Sequence, residues 1–414
     1  MLAGCQDTTA PDPAACLEIS LPAEKVRIAD EVQITVATRC RGLQNGAPAW
    51  SSSDTLVAAV SPAGVLEARS AGSTTVSARI GEHAAQLPVT VVGRYRVVAL
   101  GDSLSPAAIN ERGEVVGTLK FIWAFLWRGG TVVSLGLREA DAYDINDAGV
   151  VVGRTTVRTV TGTPSYSVER ITENLFRWQE GSPAQLREVS AGGVRIVSAA
   201  VNGRGEAPFS MNPLYCGRFC TYDGYGLQAD TMKSVSRVKV TDVNEQGTVV
   251  GLKELGPGYG YYFEESGAVA YSGGAETILP GITSGRYAYS AALGINDRGE
   301  VVGYSGSGER VPVRWTAQRT LERLPLPAGF QSGQADRINN RGEIVGSATP
   351  RYAYDEGRIG LLWQNGRLFR LDHLTGSEEW TITSPRDIND RGQIVAMATH
   401  RPSGVKQGVL LDPQ

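Results

Sequence analysis

The sequence predicts an all-β protein, a small β-sandwich followed by a seven-bladed β-propeller. Three observations carry that reading. Gly supplies 50 of the 414 residues while only 20% are charged, a balance that suits short strands joined by Gly turns. Few windows place apolar residues at i, i+3, i+4 and i+7 without an intervening Gly or Pro, so long amphipathic helices are not expected. One hairpin-like motif also recurs seven times along the chain.

The first segment, residues 1–15, reads as a tether. The string Leu2-Ala3-Gly4-Cys5 resembles the lipobox of bacterial lipoproteins, which implies that Cys5 is lipidated and becomes the mature N-terminus. Gln6 after it points, within that resemblance, to the outer membrane. No apolar run approaches the roughly 18 residues of a membrane span, so a membrane is expected only through this anchor. The other cysteines, Cys16, Cys40, Cys216 and Cys220, are even in number. In an oxidising compartment they would pair as Cys16–Cys40 and Cys216–Cys220.

Residues 16–93 form the predicted sandwich. Val32-Gln33-Ile34-Thr35-Val36, Thr75-Val76-Ser77-Ala78 and Val89-Thr90-Val91-Val92 alternate as half-buried strands do. Trp50 to Asp54, Val57 to Val60, Gly64-Val65-Leu66 and Ala71 to Val76 resemble the bacterial Ig-like group 2 domain of adhesins and surface proteins. That resemblance implies a spacer.

Residues 94–414 carry the repeat. Ile109-Asn110-Glu111-Arg112-Gly113-Glu114-Val115-Val116-Gly117 has counterparts centred on Asn146, Asn202, Asn244, Asn296, Asn339 and Asn389. The copy at Asn202 is degenerate. Each reads as a β-hairpin, with Gly at a position of positive φ. A second strand follows, as in Ala124-Phe125-Leu126-Trp127 or Gly360-Leu361-Leu362-Trp363, then a Gly-rich turn and a fourth strand. Four strands in about 45 residues is the arithmetic of a propeller blade. The last unit lacks a fourth strand, and Tyr95 to Gly101 precedes the first hairpin as a spare one. The ring is expected to close on it, which removes exposed edges. The pattern Ile-Asn-Asp-x-Gly-x-Val-Val-Gly, then Ala-Phe-Leu-Trp, then Leu-Gly resembles the HAF repeat family of extracellular bacterial proteins. The family transfers no activity to any residue.

Composition and motifs argue against several functions. A net charge of −3 with no Lys/Arg block argues against nucleic acid. Gly101-Asp102-Ser103-Leu104 and Gly294-Ile295-Asn296-Asp297 imitate blocks of Gly-Asp-Ser-Leu esterases, but the Asp-x-x-His string that would supply acid and base is missing. Asp147, Asp297 and Asp390 stand alone in their turns, where Ca²⁺ would want several carboxylates, so no metal or cofactor is expected. Trp127, Trp178, Trp315 and Trp363 read as core between blades.

The variable loops after the Val-Val-Gly strands are rich in tyrosine: Tyr166, Tyr215, Tyr222, Tyr225, Tyr259, Tyr261, Tyr262, Tyr304, Tyr352 and Tyr354. All of these but Tyr215 are the candidate ligand-binding residues, because rigid amphipathic rings give good contact area. No catalytic residue is assigned. The expected function is a non-catalytic cell-surface or extracellular module, monomeric, that binds a glycan or an envelope protein. The alternative is a propeller-based polysaccharide hydrolase or lyase using loop carboxylates such as Glu254, Glu309, Asp355 or Glu356, since two carboxylates suffice for glycoside cleavage.

Overall fold

The computed structural model describes residues 16–23, 25–39, 46–120, 122–163, 166–191, 194–213, 223–228, 231–236, 238–255, 266–284, 288–350 and 357–414. Among these, strands dominate, and the helical content is a single four-residue turn, Leu371–Leu374. No helix among them is long and apolar enough to cross a membrane. The chain divides into two compact units: residues 1–96 with 373–377 and 414, and residues 97–372 with 378–413.

Alternation builds the first unit. Ala49–Ser52, Gly72–Ile80 and His83–Val92 run antiparallel, with Val26–Arg27 added parallel to the last of them. Glu31–Gln33, Val65–Ala68 and Ala58–Val60 form a second sheet, and Leu17–Ser20 pairs with Thr35–Thr38. Every second residue of Gly72–Ile80 turns inward, so Thr74, Val76 and Ala78 are buried, as are Leu17, Ile19, Leu66, Val89 and Val91. Cys16 is buried and disulfide-bonded. Cys40, Cys216, Cys220 and Cys5 lie outside the described residues.

The second unit is a β-propeller. Its first sheet is antiparallel and runs outward through Leu104–Ile109, Val115–Leu119, Trp123–Arg128 and Thr131–Arg138. The same order recurs from the inner strands Ala140–Ile145, Val194–Ala199, Val238–Val243, Tyr289–Ile295, Phe330–Ile338 and Trp380–Ile388. The groups at 238–278 and 289–323 are joined by one parallel pair, Ser266 with Tyr289. The last group, Trp380–Ile388, Ile394–His400 and Val405–Pro413, receives its outer strand from Tyr95–Gly101. Side chains of facing sheets interlock: Val116 and Leu126 pack with Val151, Phe176 and Trp178. Trp127, Trp315 and Trp363 are buried as well.

The repeated asparagine explains how the ring is held. Asn110 Oδ1 accepts the N–H groups of Arg112 and Glu114 at 3.0 Å each, which fixes the hairpin turn. Gly113 then adopts φ 78°, and its six counterparts lie between 76° and 81°, a region where L side chains are strained. The asparagine Nδ2 points sideways and donates to the main-chain oxygen of the next asparagine. The series runs Asn110 to Asn146, Asn202, Asn244, Asn296, Asn339 and Asn389, at 2.9–3.1 Å. Asn389 donates back to Asn110 at 3.0 Å. The Arg two residues after an asparagine reaches over the turn glycine of the next hairpin: a Cβ on Gly342 would lie 2.7 Å from Arg298, and one on Gly392 2.6 Å from Arg341. These glycines therefore answer to a close approach as well as to a positive φ.

The third residue of each Val-Val-Gly string has a different reason. A Cβ on Gly117 would stand 2.1 Å from the carbonyl oxygen of Ser105, and one on Gly346 2.1 Å from that of Gln334. The inner strand presses that close because a β-bulge interrupts its pairing.

Candidate functional site

The bulges decide what the axis presents. Each inner strand leaves one residue out of its ladder near the turn: Ala107, Tyr143, Val197, Thr241, Leu293, Asp336 and Arg386. A bulge bends its strand and re-aims a side chain, and bulges recur beside active sites. All of these except Leu293 line one cavity of about 370 Å³, together with Ser105, Thr118, Asp141, Ser198 and Arg337. Its inner-strand residues stand two to five positions before the turn asparagines, just inside the ring of turns.

The residue after the bulge forms a second tier. It is Asp144, Asp242 or Asp387 in three sheets, and each spans to the next sheet. Asp144 Oδ2 accepts the Val201 N–H at 2.7 Å, Asp242 Oδ2 that of Ile295 at 2.9 Å, and Asp387 Oδ2 that of Ile109 at 2.9 Å. Two residues before their asparagines, where these aspartates also stand, the receiving sheets carry Ala200, Gly294 and Ala108, small residues that leave room for the carboxylates. The remaining sheet supplies Arg337, which donates to the Leu293 carbonyl at 2.7 Å and lies 4.0 Å from Asp387.

Charge crowding sets the electrostatics. Burial, reinforced by Asp242 and Asp387, pushes the Asp144 carboxyl up to about 8. Burial also raises Asp387, to about 6, against the pull of Arg337, and it raises Asp242. Asp336 is raised to about 6 by burial, with Gln334, Arg337, Arg386 and Arg358 holding it back. Burial lifts the Tyr143 phenol to about 12, and its hydroxyl donates to the Ile196 carbonyl at 3.0 Å. Asp141 is paired with Arg154 at 2.6 Å and accepts from Thr118 at 2.9 Å. The cavity thus holds a carboxyl that exchanges its proton near neutral pH, an ion-paired carboxylate, and arginines beside both.

The opposite mouth is lined by the asparagine turns. Asp147 Oδ1 accepts the Glu111 N–H at 2.8 Å, Asp297 that of Glu245 at 2.9 Å, and Asp390 that of Asn340 at 2.6 Å. These acids cap turns of the preceding sheet. Among the described residues no group of three or more His, Cys, Asp or Glu is arranged to hold a metal ion.

Of the tyrosines expected to bind ligand, Tyr304 is fully described. It is half-buried, with the Arg310 guanidinium 4.6 Å over its ring and Tyr289 at its edge, 6.0 Å away. Tyr166 and Tyr225 stand in the strands Tyr166–Trp178 and Asp223–Gln228. Tyr215, Tyr222, Tyr259, Tyr261, Tyr262, Tyr352 and Tyr354 lie outside the described residues, as do Asp355 and Glu356. Glu254 is buried at the end of Val249–Glu254, and Glu309 opens Glu309–Trp315. Ser103 is exposed in the turn between Tyr95–Gly101 and Leu104–Ile109. Sequence reasoning passed over Asp141, Tyr143, Asp336, Arg337 and Arg386. For all but Asp141, which stands five residues before Asn146, the signal was present as a polar column two and three residues before several of the repeated asparagines.

No family model matches the chain, and no curated protein matches it. Among solved structures, a virginiamycin B lyase from Staphylococcus aureus aligns over 77% of this chain and 98% of its own, at 10% identity and a TM-score of 0.47. A streptogramin B lyase aligns over 77% and 98% at 12% identity and a TM-score of 0.44. The β-propeller domain of the trilobed protease from Pyrococcus furiosus aligns over 88% and 98%, at 11% identity and a TM-score of 0.40. Likeness at this level transfers no activity. The expectation of a non-catalytic module is nonetheless corrected here. The aligned structures include lyases, and the carboxyls and arginines lining the cavity suit the hydrolase-or-lyase alternative better. The physical reason is that carboxylates were expected on the variable loops, whereas the inner strands bring Asp141 and the bulged Asp336 to the cavity from separate sheets.

Proposed function

We propose that the propeller cleaves an anionic polysaccharide by acid–base chemistry in the axial cavity, as a hydrolase or lyase. The observation that carries the reading is Asp336, a carboxyl re-aimed by a bulge into the cavity and raised to about 6 between Arg337 and Arg386. Near that pH it exists in both forms, as a general acid requires. It would protonate the departing glycosidic oxygen. Asp141, ion-paired with Arg154, would take the proton from a water in hydrolysis or from the sugar carbon in elimination. Arg386, exposed at the cavity wall, would pair with a sugar carboxylate, for which a guanidinium fork is suited. The carboxyls that would act lie on inner strands and not on the second and third strands that carry Glu254 and Glu309.

The test is digestion of a panel of uronate-containing polysaccharides by wild type and Asp336→Asn. Turnover is expected in the wild type and a fall of about 10²–10⁴-fold in the variant. Unsaturated products would assign elimination, and saturated ones hydrolysis. A variant as active as the wild type would overturn the assignment of Asp336. No product from any substrate would overturn the function.

We infer further that the propeller has seven blades of HAF type and that the first unit is a bacterial Ig-like domain. The seven-membered asparagine ring supports the first, and the inward alternation of Gly72–Ile80 beside Trp50 supports the second. Export, and a lipid anchor on Cys5 of the precursor, rest on the lipobox resemblance. Fatty-acid labelling should mark the wild type and not Cys5→Ser, and equal labelling would count against the anchor.

A further inference from the structure

We infer that Gln334 is a positioning residue for Asp336, and that Arg310 and Tyr304 fix Gln334 in turn. This deepens the proposed function and rests on it for the role of Asp336, but the contacts stand by themselves. Gln334 Nε2 donates to Asp336 Oδ1 at 2.5 Å, and Arg310 Nη1 donates to Gln334 Oε1 at 2.9 Å. The two contacts settle which way the amide faces. A guanidinium has no acceptor, so the Gln334 oxygen must meet Arg310 and its NH₂ must meet the carboxylate. Flipping the amide would set NH₂ against guanidinium and oxygen against carboxylate.

Arg310 itself is anchored on the neighbouring sheet. Its guanidinium lies over the Tyr304 ring at 4.6 Å, within cation–π range, and its main-chain N–H donates to Ser332 Oγ at 3.3 Å. Tyr289 braces Tyr304 edge-on at 6.0 Å. Gln334 is held in the ladder opposite Ser347, and the register shift that follows it sets Asp336 out of the ladder within reach of its side chain. The result is a directed series, Tyr304 to Arg310 to Gln334 to Asp336. It occupies Oδ1, and among the described residues no hydrogen bond reaches Oδ2. Under the proposed function that oxygen is the one left to meet substrate. The charged groups facing Asp336 are Arg337, Arg386 and Arg358. They draw it toward the ionised form but do not fix its rotamer.

The test is carboxyl NMR titration of Asp336 in the full-length protein, together with the pH profile of kcat/KM. Gln334→Leu removes a hydrogen bond to the ionised form. The Asp336 midpoint should therefore rise by about one pH unit, tenfold in proton affinity, and the alkaline limb of the profile should rise with it. Arg310→Met should move both in the same direction by less. Gln334→Glu, which sets a second carboxylate beside the first, should move them furthest. If Gln334→Leu does not fold, Arg310→Met and Tyr304→Leu carry the same readout from outside the cavity. An unmoved Asp336 midpoint in a folded variant overturns the inference. A midpoint that moves while the activity profile stays supports the positioning role and instead overturns Asp336 as the acid.

Discussion

Replacing Asn389 with Ala tests whether the asparagine ring is what closes the propeller. Asn389 is 3% exposed. Its Nδ2 donates to the Asn110 oxygen at 3.0 Å and to Gln393 Oε1 at 2.9 Å, and its Oδ1 accepts the Gln393 N–H at 2.9 Å. The Asn110 oxygen would keep the Gly113 N–H as a partner at 3.0 Å, so its loss is partial. Two hydrogen bonds at about 1 kcal/mol each, plus about 1–2 kcal/mol for stranding the Gln393 N–H, give roughly 3–4 kcal/mol. That is a large share of the roughly 5–15 kcal/mol that holds a domain folded. Asn244→Ala is the control. It breaks the equivalent bonds, to the Asn296 oxygen at 3.1 Å and from the Thr248 N–H at 2.9 Å, between neighbours in sequence. Asn389 joins the last sheet to the first, so its loss should also lower the urea m-value or split the transition. Urea unfolding of both variants, followed by tryptophan fluorescence and far-ultraviolet circular dichroism, reads the difference. A loss below about 1 kcal/mol for Asn389→Ala, with one unchanged transition, would refute the reasoning.

Four further outcomes are expected. The folded protein holds the Asp144 proton up to about pH 8, whereas an unfolded carboxyl releases it near about 4. Stability should therefore fall as pH rises through that window, and Asp144→Asn should flatten the slope of melting temperature against pH. At Glu300 burial works against the charge, but hydrogen bonds from Asn296, Arg298 and Arg314 outweigh it and hold the carboxyl down at about 2. Its contribution is present above the unfolded value of 4.5 and is lost as pH falls toward 2, so Glu300→Gln should remove that part of the acid-unfolding curve. Gly346→Ala drives a Cβ to 2.1 Å from the Gln334 oxygen and should cost about 3 kcal/mol or more in urea melts. Gly299→Ala meets nothing within 4 Å at φ +77° and should cost only about 1–2 kcal/mol of backbone strain; equal losses would be inconsistent with the close-approach argument. Deleting Tyr95 to Gly101 leaves Val405–Pro413 as an open edge and should produce aggregates in size-exclusion chromatography, so a monomeric deletion would argue against ring closure by that strand.

Much of the architecture was legible because it is local and repeated. An asparagine three residues before a glycine specifies its own turn through Oδ1, and seven copies of one turn announce a repeating fold before any contact is known. The spare strand at Tyr95 to Gly101 was legible too, as an unmatched element at one end and a missing one at the other. The role of the Val-Val-Gly glycine was not, because its cause is a carbonyl on a strand some twelve residues earlier, brought close only by the bulge. Tyr304 was marked for ligand on its residue type, and only the packed structure places Arg310 over its face.

The sequence by itself therefore determined the strands, the turns, the repeat and the pairing of the Tyr95–Gly101 strand with the last repeat, since each depends on residues close in sequence or on a pattern copied along it. Only the tertiary structure decided which side chains share the axis. Near the turn a bulge sets Asp336 and Arg386 out of register, and ring closure brings them to one cavity with Asp141 from a third sheet. Neither the bulge nor the convergence leaves a contiguous motif, and the proton affinity of Asp336 arises from that convergence, through burial beside arginines contributed by separate strands.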